Sequence, residues 1–296
     1  MSETYKKKVI IALGHFDSVH IGHRAVIGKA VEEAKSTGVI PAVFMFSGDL
    51  KSFVKKGVFA PVYSTETRVN LISKLGVDEF YIAPVDLEFL SLERNEFLDK
   101  LNEKYDILAY VSGTDYRFAK NALGDVEYIK EYAKSKGQSV YTVGDMTVDG
   151  DKVSTTLIKE LLTGGFIKKA NQMLSKNYSV LGTVNNGRKV GTKLGIPTVN
   201  LEIDSSFLTL KDGVYSGKTN IDGKSYKAVI NYGARPTFNL TEKLIEAHLI
   251  GFTGDLYGKQ IELEFTDFLR PLMAFRDEKE LKSQIEKDIE RVKTND

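Results

Sequence analysis

Residues 7–23 read KKVIIALGHFDSVHIGH, and the change of pattern inside them decides the fold. As far as Leu13 the run is apolar and β-branched, the composition of a strand buried on both faces. GHRAVIGKAVEEAKSTG at 22–38 then reads as a helix beginning at its first turn. The loop between them carries His15, His20 and His23, three of the four histidines in the chain. Strand, glycine-bearing loop and helix start form the layout of a phosphate site, because the first helical turn offers free backbone N–H groups and the positive end of the dipole.

The alternation continues outward from that stretch. Strand-like runs VIPAVFMF (39–46), VDEFYIAPV (77–85), DILAYVSG (106–113) and QSVYTVGD (138–145) interleave with helix-like runs at 64–76, 91–105 and 125–137. Five strands separated by helices predict a parallel, doubly wound α/β sheet covered on both faces, with its ligand beyond the carboxyl ends of the strands. STTLIKELLTGGFIKKANQMLSK at 154–176 reads as two helices joined by GG.

From residue 178 the pattern becomes short alternating runs broken by glycine, with an Asp222-Gly223 hairpin signal inside GVYSGKTNIDGKSYKAVINYG at 213–233. A small antiparallel β-barrel follows from this, closed by a terminal helix at 276–293 that packs along one stripe. Domains at 1–177 and 178–296 are expected. Tyr215, Phe238 and Tyr257 read as barrel core rather than ligand platforms.

The composition excludes several classes. Lys plus Arg number 41 against 40 Asp plus Glu, so no global field collects nucleic acid or coats an anionic membrane. The absence of cysteine excludes disulfides, thiolate metal sites and a cysteine nucleophile. The apolar runs are too short to span a membrane, and MSETYKKK is followed by no signal-peptide core, so a cytoplasmic enzyme is expected.

The spacing His20-Ile21-Gly22-His23 puts two imidazoles at a helix entry, where they can grip a triphosphate while Gly22 lets the backbone approach it. In GRKVGTKLGIPTVNL at 187–201, Gly191 and Gly195 allow a loop to fold over phosphates. Thr198 and Asn200, two apart on a strand, face one way and can serve Mg²⁺ and ATP oxygens.

GHFDSVHIGH, SGTDYRFAKNALGD (112–125) and VSTTLIKELL (153–162) resemble, in order, the adenylyltransferase motifs of the bacterial bifunctional riboflavin kinase and FMN adenylyltransferase (FAD synthetase) family. The segments GRKVGTKLGIPTVNL, GVYSG, NYGARPTF, IEAHL, GDLYGK and FLRPLMAF resemble its riboflavin kinase half. The resemblance implies a Rossmann-like nucleotidyltransferase domain followed by a riboflavin kinase-like barrel. The barrel would make FMN from riboflavin and ATP with Mg²⁺, and the first domain would make FAD from FMN and a second ATP, with release of pyrophosphate.

His20 and His23 would then hold the ATP phosphates, with Gly14, Asp17, Gly22, Asp115, Ser154, Thr155 and Lys159 around the nucleotide. In the second half Glu246 would be the general base, Thr198 and Asn200 the metal-side groups, and Gly191, Gly195, Pro197 and Arg270 would bind ATP or flavin. Three positions depart from the family pattern: Asp49 stands where a histidine is expected, Lys159 where arginine is usual, and Ala119 where glycine is common. These departures frame a rival reading, a kinase whose first domain is only a scaffold. Other rivals are a flavin- or nucleotide-binding regulator without turnover, and transfer to a different phosphorylated alcohol.

Overall fold

We describe a computed structural model over residues 5–48, 60–185, 195–203, 208–234 and 243–294. The chain divides into two compact units, Met1–Thr155 and Thr156–Asp296.

The first unit is built on five parallel strands: β1 (Lys7–Leu13), β2 (Ile40–Phe46), β3 (Glu79–Ala83), β4 (Tyr105–Gly113) and β5 (Ser139–Val143). Their order is β3-β2-β1-β4-β5, so the chain reverses its direction of travel across the sheet between β1 and β4. Connecting helices are α1 (Ile21–Thr37), α2 (Thr65–Ser73), the single turn α3 (Leu87–Leu90), α4 (Arg94–Lys104) and α5 (Val126–Lys136). β1 is buried from Val9 to Leu13 because both faces are covered. Val9, Ile11 and Leu13 join Phe44, Phe97, Leu98 and Leu101 in one core, while α1 packs against β1, β2 and β4. A short hairpin, β6 (Thr147–Val148) and β7 (Asp151–Lys152), has no counterpart in the sequence reading. Its turn places Asp149 and Gly150 at φ 51° and 85°, the left-handed pair that a two-residue hairpin favours.

The second unit contains most of α6 (Thr155–Gly164), then α7 (Ile167–Leu174) and a closed barrel. The strands are β8 (Tyr178–Asn185), β9 (Val199–Glu202), β10 (Gly213–Ile221), β11 (Lys224–Ala234), β12 (Lys243–Leu249) and β13 (Gln260–Arg270), in the order β10-β11-β12-β9-β8-β13. Asn171 ties α7 to the barrel: its amide donates to the Phe265 carbonyl at 2.9 Å and its oxygen accepts from the Tyr178 N–H at 2.7 Å. The Asp222-Gly223 turn joins β10 to β11 as the sequence predicts, with both residues at positive φ. Tyr215 is fully buried and meets Phe265 edge-on, as expected of core. Tyr257 is 46% exposed, which corrects its reading as core: it lies in the turn before β13, with its N–H on the Asp255 carboxylate. Phe238 lies outside the described residues. The terminal helix α8 (Glu278–Thr294) covers Val214, Val229 and Leu269 with Val292.

Candidate active sites

The reversal between β1 and β4 marks the switch point beyond whose carboxyl ends α/β sheets bind their ligands, and the histidine loop leaves β1 there. His20 caps α1: its Nδ1 accepts the His23 N–H at 3.1 Å, so neutral His20 carries its proton on Nε2, the nitrogen able to donate to a phosphate oxygen. The two rings stack with centroids 3.6 Å apart. A Cβ at Gly22 would lie 3.1 Å from the His20 ring, so the glycine makes room for that stack. A Cβ at Gly14 would fall 2.6 Å from the Phe16 ring, which itself meets His23 edge-on.

Burial sets the charge of this pair. His20 is 7% exposed, and desolvation lowers its pKa to about 4 against the partial relief given by its backbone hydrogen bond and the Asp115 carboxylate. His23 is held well below its ordinary value by burial first, then by electrostatic opposition from the neighbouring His20 and His15 rings and the Arg68 guanidinium. Both imidazoles are therefore neutral near pH 7 and act as hydrogen-bond donors rather than cations.

The other residues predicted around the nucleotide are placed as follows. Asp17 accepts the Val62 N–H at 2.9 Å. Asp115 follows β4 and is bridged by Lys152 at 2.9 Å, which also reaches Asp145 at 2.8 Å. Ser154 precedes α6, and the Thr155 hydroxyl is 3.0 Å from that of Ser18, joining two motifs 137 residues apart. Lys159 is half-buried one turn further along α6. Asp49 lies outside the described residues.

The barrel carries a second constellation. β9 and β12 pair antiparallel with Asn200 opposite Glu246, so both side chains leave the same face. The Thr198 hydroxyl donates to Glu246 Oε1 at 2.7 Å, and His248 Nδ1 meets the Pro197 carbonyl at 2.7 Å. Pro197, Thr198, Asn200 and Glu246 are thereby brought together. Gly195 opens this segment at φ 78°, and Gly191 lies outside the described residues. Arg270 binds Asp288 of α8 through Nε at 3.1 Å and Nη2 at 2.7 Å, so its charge is spent on the terminal helix. Among the described residues no cluster of three or more His, Cys, Asp or Glu is placed to hold a metal. The donors present would nevertheless fit Mg²⁺, because the Thr198 proton is committed to Glu246 and leaves hydroxyl lone pairs, with the Asn200 amide oxygen, as hard oxygen ligands.

Sequence reasoning missed Ser18, Arg68, Asp145 and Lys152. Arg68 left a signal: in STETRVNLIS it shares the helical stripe of Leu71 and Ile72, a charge in a core position.

The switch-point loop presents two neutral histidines and the barrel strand pair a hydroxyl-bound carboxylate, one constellation in each unit, as an enzyme of two phosphate-transfer activities would need. Residues 2–157 match the FAD synthetase family and residues 174–295 match riboflavin kinase. The chain is 32% identical over 285 residues to the bifunctional riboflavin kinase/FMN adenylyltransferase of Listeria monocytogenes, covering 94% of this chain and 90% of that one. The Bacillus subtilis protein of the same description is 31% identical over 289 residues, covering 95% and 90%. This chain belongs to the bifunctional riboflavin kinase/FMN adenylyltransferase family. A solved Streptococcus pneumoniae structure described as a macrolide-efflux protein superposes with a TM-score of 0.90 at 25% identity, covering 98% of this chain and 95% of that one. Among the described residues here, no helix is long and apolar enough to cross a membrane.

Proposed function

We propose that this chain phosphorylates riboflavin to FMN at the barrel and adenylylates FMN to FAD at the switch-point loop, with residues 178–296 and 1–177 as the two functional segments. The hydrogen bond from Thr198 to Glu246, with Asn200 opposite, carries the reading. It supports the reading by holding a carboxylate beside a hydroxyl and an amide, the set that a general base next to a nucleotide's terminal phosphate requires.

In the kinase step the ribityl 5′-oxygen bonds to the γ-phosphorus of ATP, the bond from that phosphorus to the β-bridging oxygen breaks, and Glu246 takes the hydroxyl proton as ADP leaves. Thr198 and Asn200 would hold Mg²⁺, which supplies charge neutralisation at the transferring phosphoryl group. In the adenylyl step an FMN phosphate oxygen bonds to the α-phosphorus and pyrophosphate leaves, with no proton to move. The work there is positioning and charge dispersal, which N–H donors of His20 and His23 and the first turn of α1 support. Arg270, locked on Asp288 of α8 and donating through Nη1 to the Pro271 carbonyl, fixes the end of β13 against the terminal helix. ATP as substrate of both steps favours a cytoplasmic place of action, and the near-zero net charge fits small-molecule partners rather than nucleic acid.

The test is chromatographic separation of flavins after incubation with Mg-ATP and either riboflavin or FMN. Glu246→Gln is expected to cut FMN formation at least a hundredfold while FAD still forms from added FMN, and His20→Ala to do the reverse. FMN without any FAD, even from added FMN, would reduce the first domain to a scaffold.

A further inference from the structure

Arg68 is only 1% exposed, among the largest fully buried side chains of the molecule. Removing a guanidinium from water costs on the order of several kcal/mol, and an apolar side chain in that stripe of α2 would avoid the cost. What the charge does there is visible in its contacts. Nη1 donates to the His15 carbonyl at 3.2 Å and Nη2 to the Thr65 hydroxyl at 3.0 Å, and that hydroxyl donates in turn to the Ser47 carbonyl. One buried cation thus ties the loop after β1 to the end of β2 through α2.

The loop it holds is strained. Phe16 and Val19, neither of them glycine, stand at φ 49° and 46°. Such conformations persist only where the surroundings over-determine them. The anchors are Val62 N–H on Asp17, Arg24 on the Val19 carbonyl at 3.2 Å, Thr155 on Ser18, and Arg68 on His15. Of these, Arg68 alone is a fully buried charge, and it lies close enough to His23 to oppose protonation of that ring. Among the described residues, the charged and titratable groups that act on the pair from outside it are His15 and Arg68 on His23 and Asp115 on His20.

We propose that Arg68 is a positioning residue for nucleotidyl transfer: its buried guanidinium fixes the loop that presents His20 and His23 and gives the floor of the ATP phosphate site a permanent positive charge. This rests on the reading of those histidines as ATP ligands.

The experiment uses the full chain as Arg68→Met, Arg68→Lys and, in parallel, His20→Ala, with FAD formation from FMN measured from about pH 4.5 to about pH 8.5, low enough to reach the acid limb, and FMN formation from riboflavin measured in the same preparations. Arg68→Met is expected to lower kcat/KM for ATP in adenylylation at least tenfold, to leave KM for FMN and the kinase rate within twofold, and to move the acid limb of the pH profile upward. The sign follows from charge: without the cation, His23 takes a proton at higher pH. Arg68→Lys keeps the charge but not the fork, so the rate falls while the acid limb stays put. Unchanged adenylylation in Arg68→Met, or a loss with no pH displacement, overturns the proposal. Should Arg68→Met lose kinase activity as well, Arg68→Lys decides: a tenfold loss confined to ATP supports the proposal, and a full rate or an equal loss for ATP and FMN overturns it. Full FAD formation by His20→Ala would instead overturn the reading beneath it.

Discussion

Ala119 holds φ 63° and ψ −175°, a region open in practice only to glycine. Asn121 and Ala122 follow at φ 53° and 55°, so the 118–124 turn stores strain at three side-chain-bearing positions. The backbone at Ala119 is one that glycine fits better than alanine. Ala119→Gly should release part of a cost of roughly 1–3 kcal/mol, less about 0.4–1 kcal/mol for the looser unfolded chain. A urea midpoint raised by the equivalent of about 1 kcal/mol is expected, and a lowered midpoint would place the strain elsewhere. His20 gives the opposite kind of sensitivity. Its folded pKa near 4 lies below the ordinary 6.5, so between those values the unfolded chain binds a proton that the folded chain refuses. Its contribution is complete above pH 6.5 and is lost as pH falls toward 4, amounting to on the order of 3 kcal/mol over that interval. His20→Asn keeps a capping side chain and should flatten the loss of stability between pH 7.5 and 5.0. Equal losses in both proteins would mean that His20 titrates normally.

The strand β10 shows how close packing replaces side-chain choice. A Cβ on Gly217 would lie 2.2 Å from the Glu264 carbonyl oxygen of β13 and 2.4 Å from Ile230, beside a register shift at Ser216/Gly217. Backbone cannot step aside inside a closed barrel, so Gly217→Ala should cost at least about 2 kcal/mol. Kinase activity should fall with it while FAD formation from FMN survives, and a wild-type melting profile would show that the barrel relaxes more freely than its geometry allows. The elements themselves could be read from sequence wherever periodicity was long enough. KKVIIAL gave β1 to the residue, and the Asp222-Gly223 hairpin follows from turn chemistry alone. Thr198 and Asn200 could be set on one face because strand period is two, but the Thr198–Glu246 bond spans 48 residues and only the β9–β12 register creates it. The β6–β7 hairpin was too short to carry a period. Arg270 illustrates a different limit: a charge next to a ligand motif suggests a ligand contact, and nothing local announces that Asp288 on a helix 18 residues away takes it first.

The chain joins two reactions in which the product of one is the substrate of the other, yet each unit has its own core. Leu13, Phe44 and Phe97 lie at the centre of one, and Tyr215 and Phe265 pack together in the other. The predicted groups divide in the same way, with His20, His23 and Asp115 in Met1–Thr155 and Thr198, Asn200 and Glu246 in Thr156–Asp296. If each centre is complete within its own unit, FMN made by one molecule should serve another. A mixture of His20→Ala and Glu246→Gln chains, neither able to take riboflavin to FAD alone, should then form FAD from riboflavin. The rate should show a lag while free FMN accumulates, and added FMN should abolish the lag. Diluting both chains together at a fixed ratio should lengthen it, because the intermediate must cross solution. Absence of FAD from the mixture, with each variant still competent in its remaining half-reaction, would show that FMN is not released between steps and that the two centres work only in one chain.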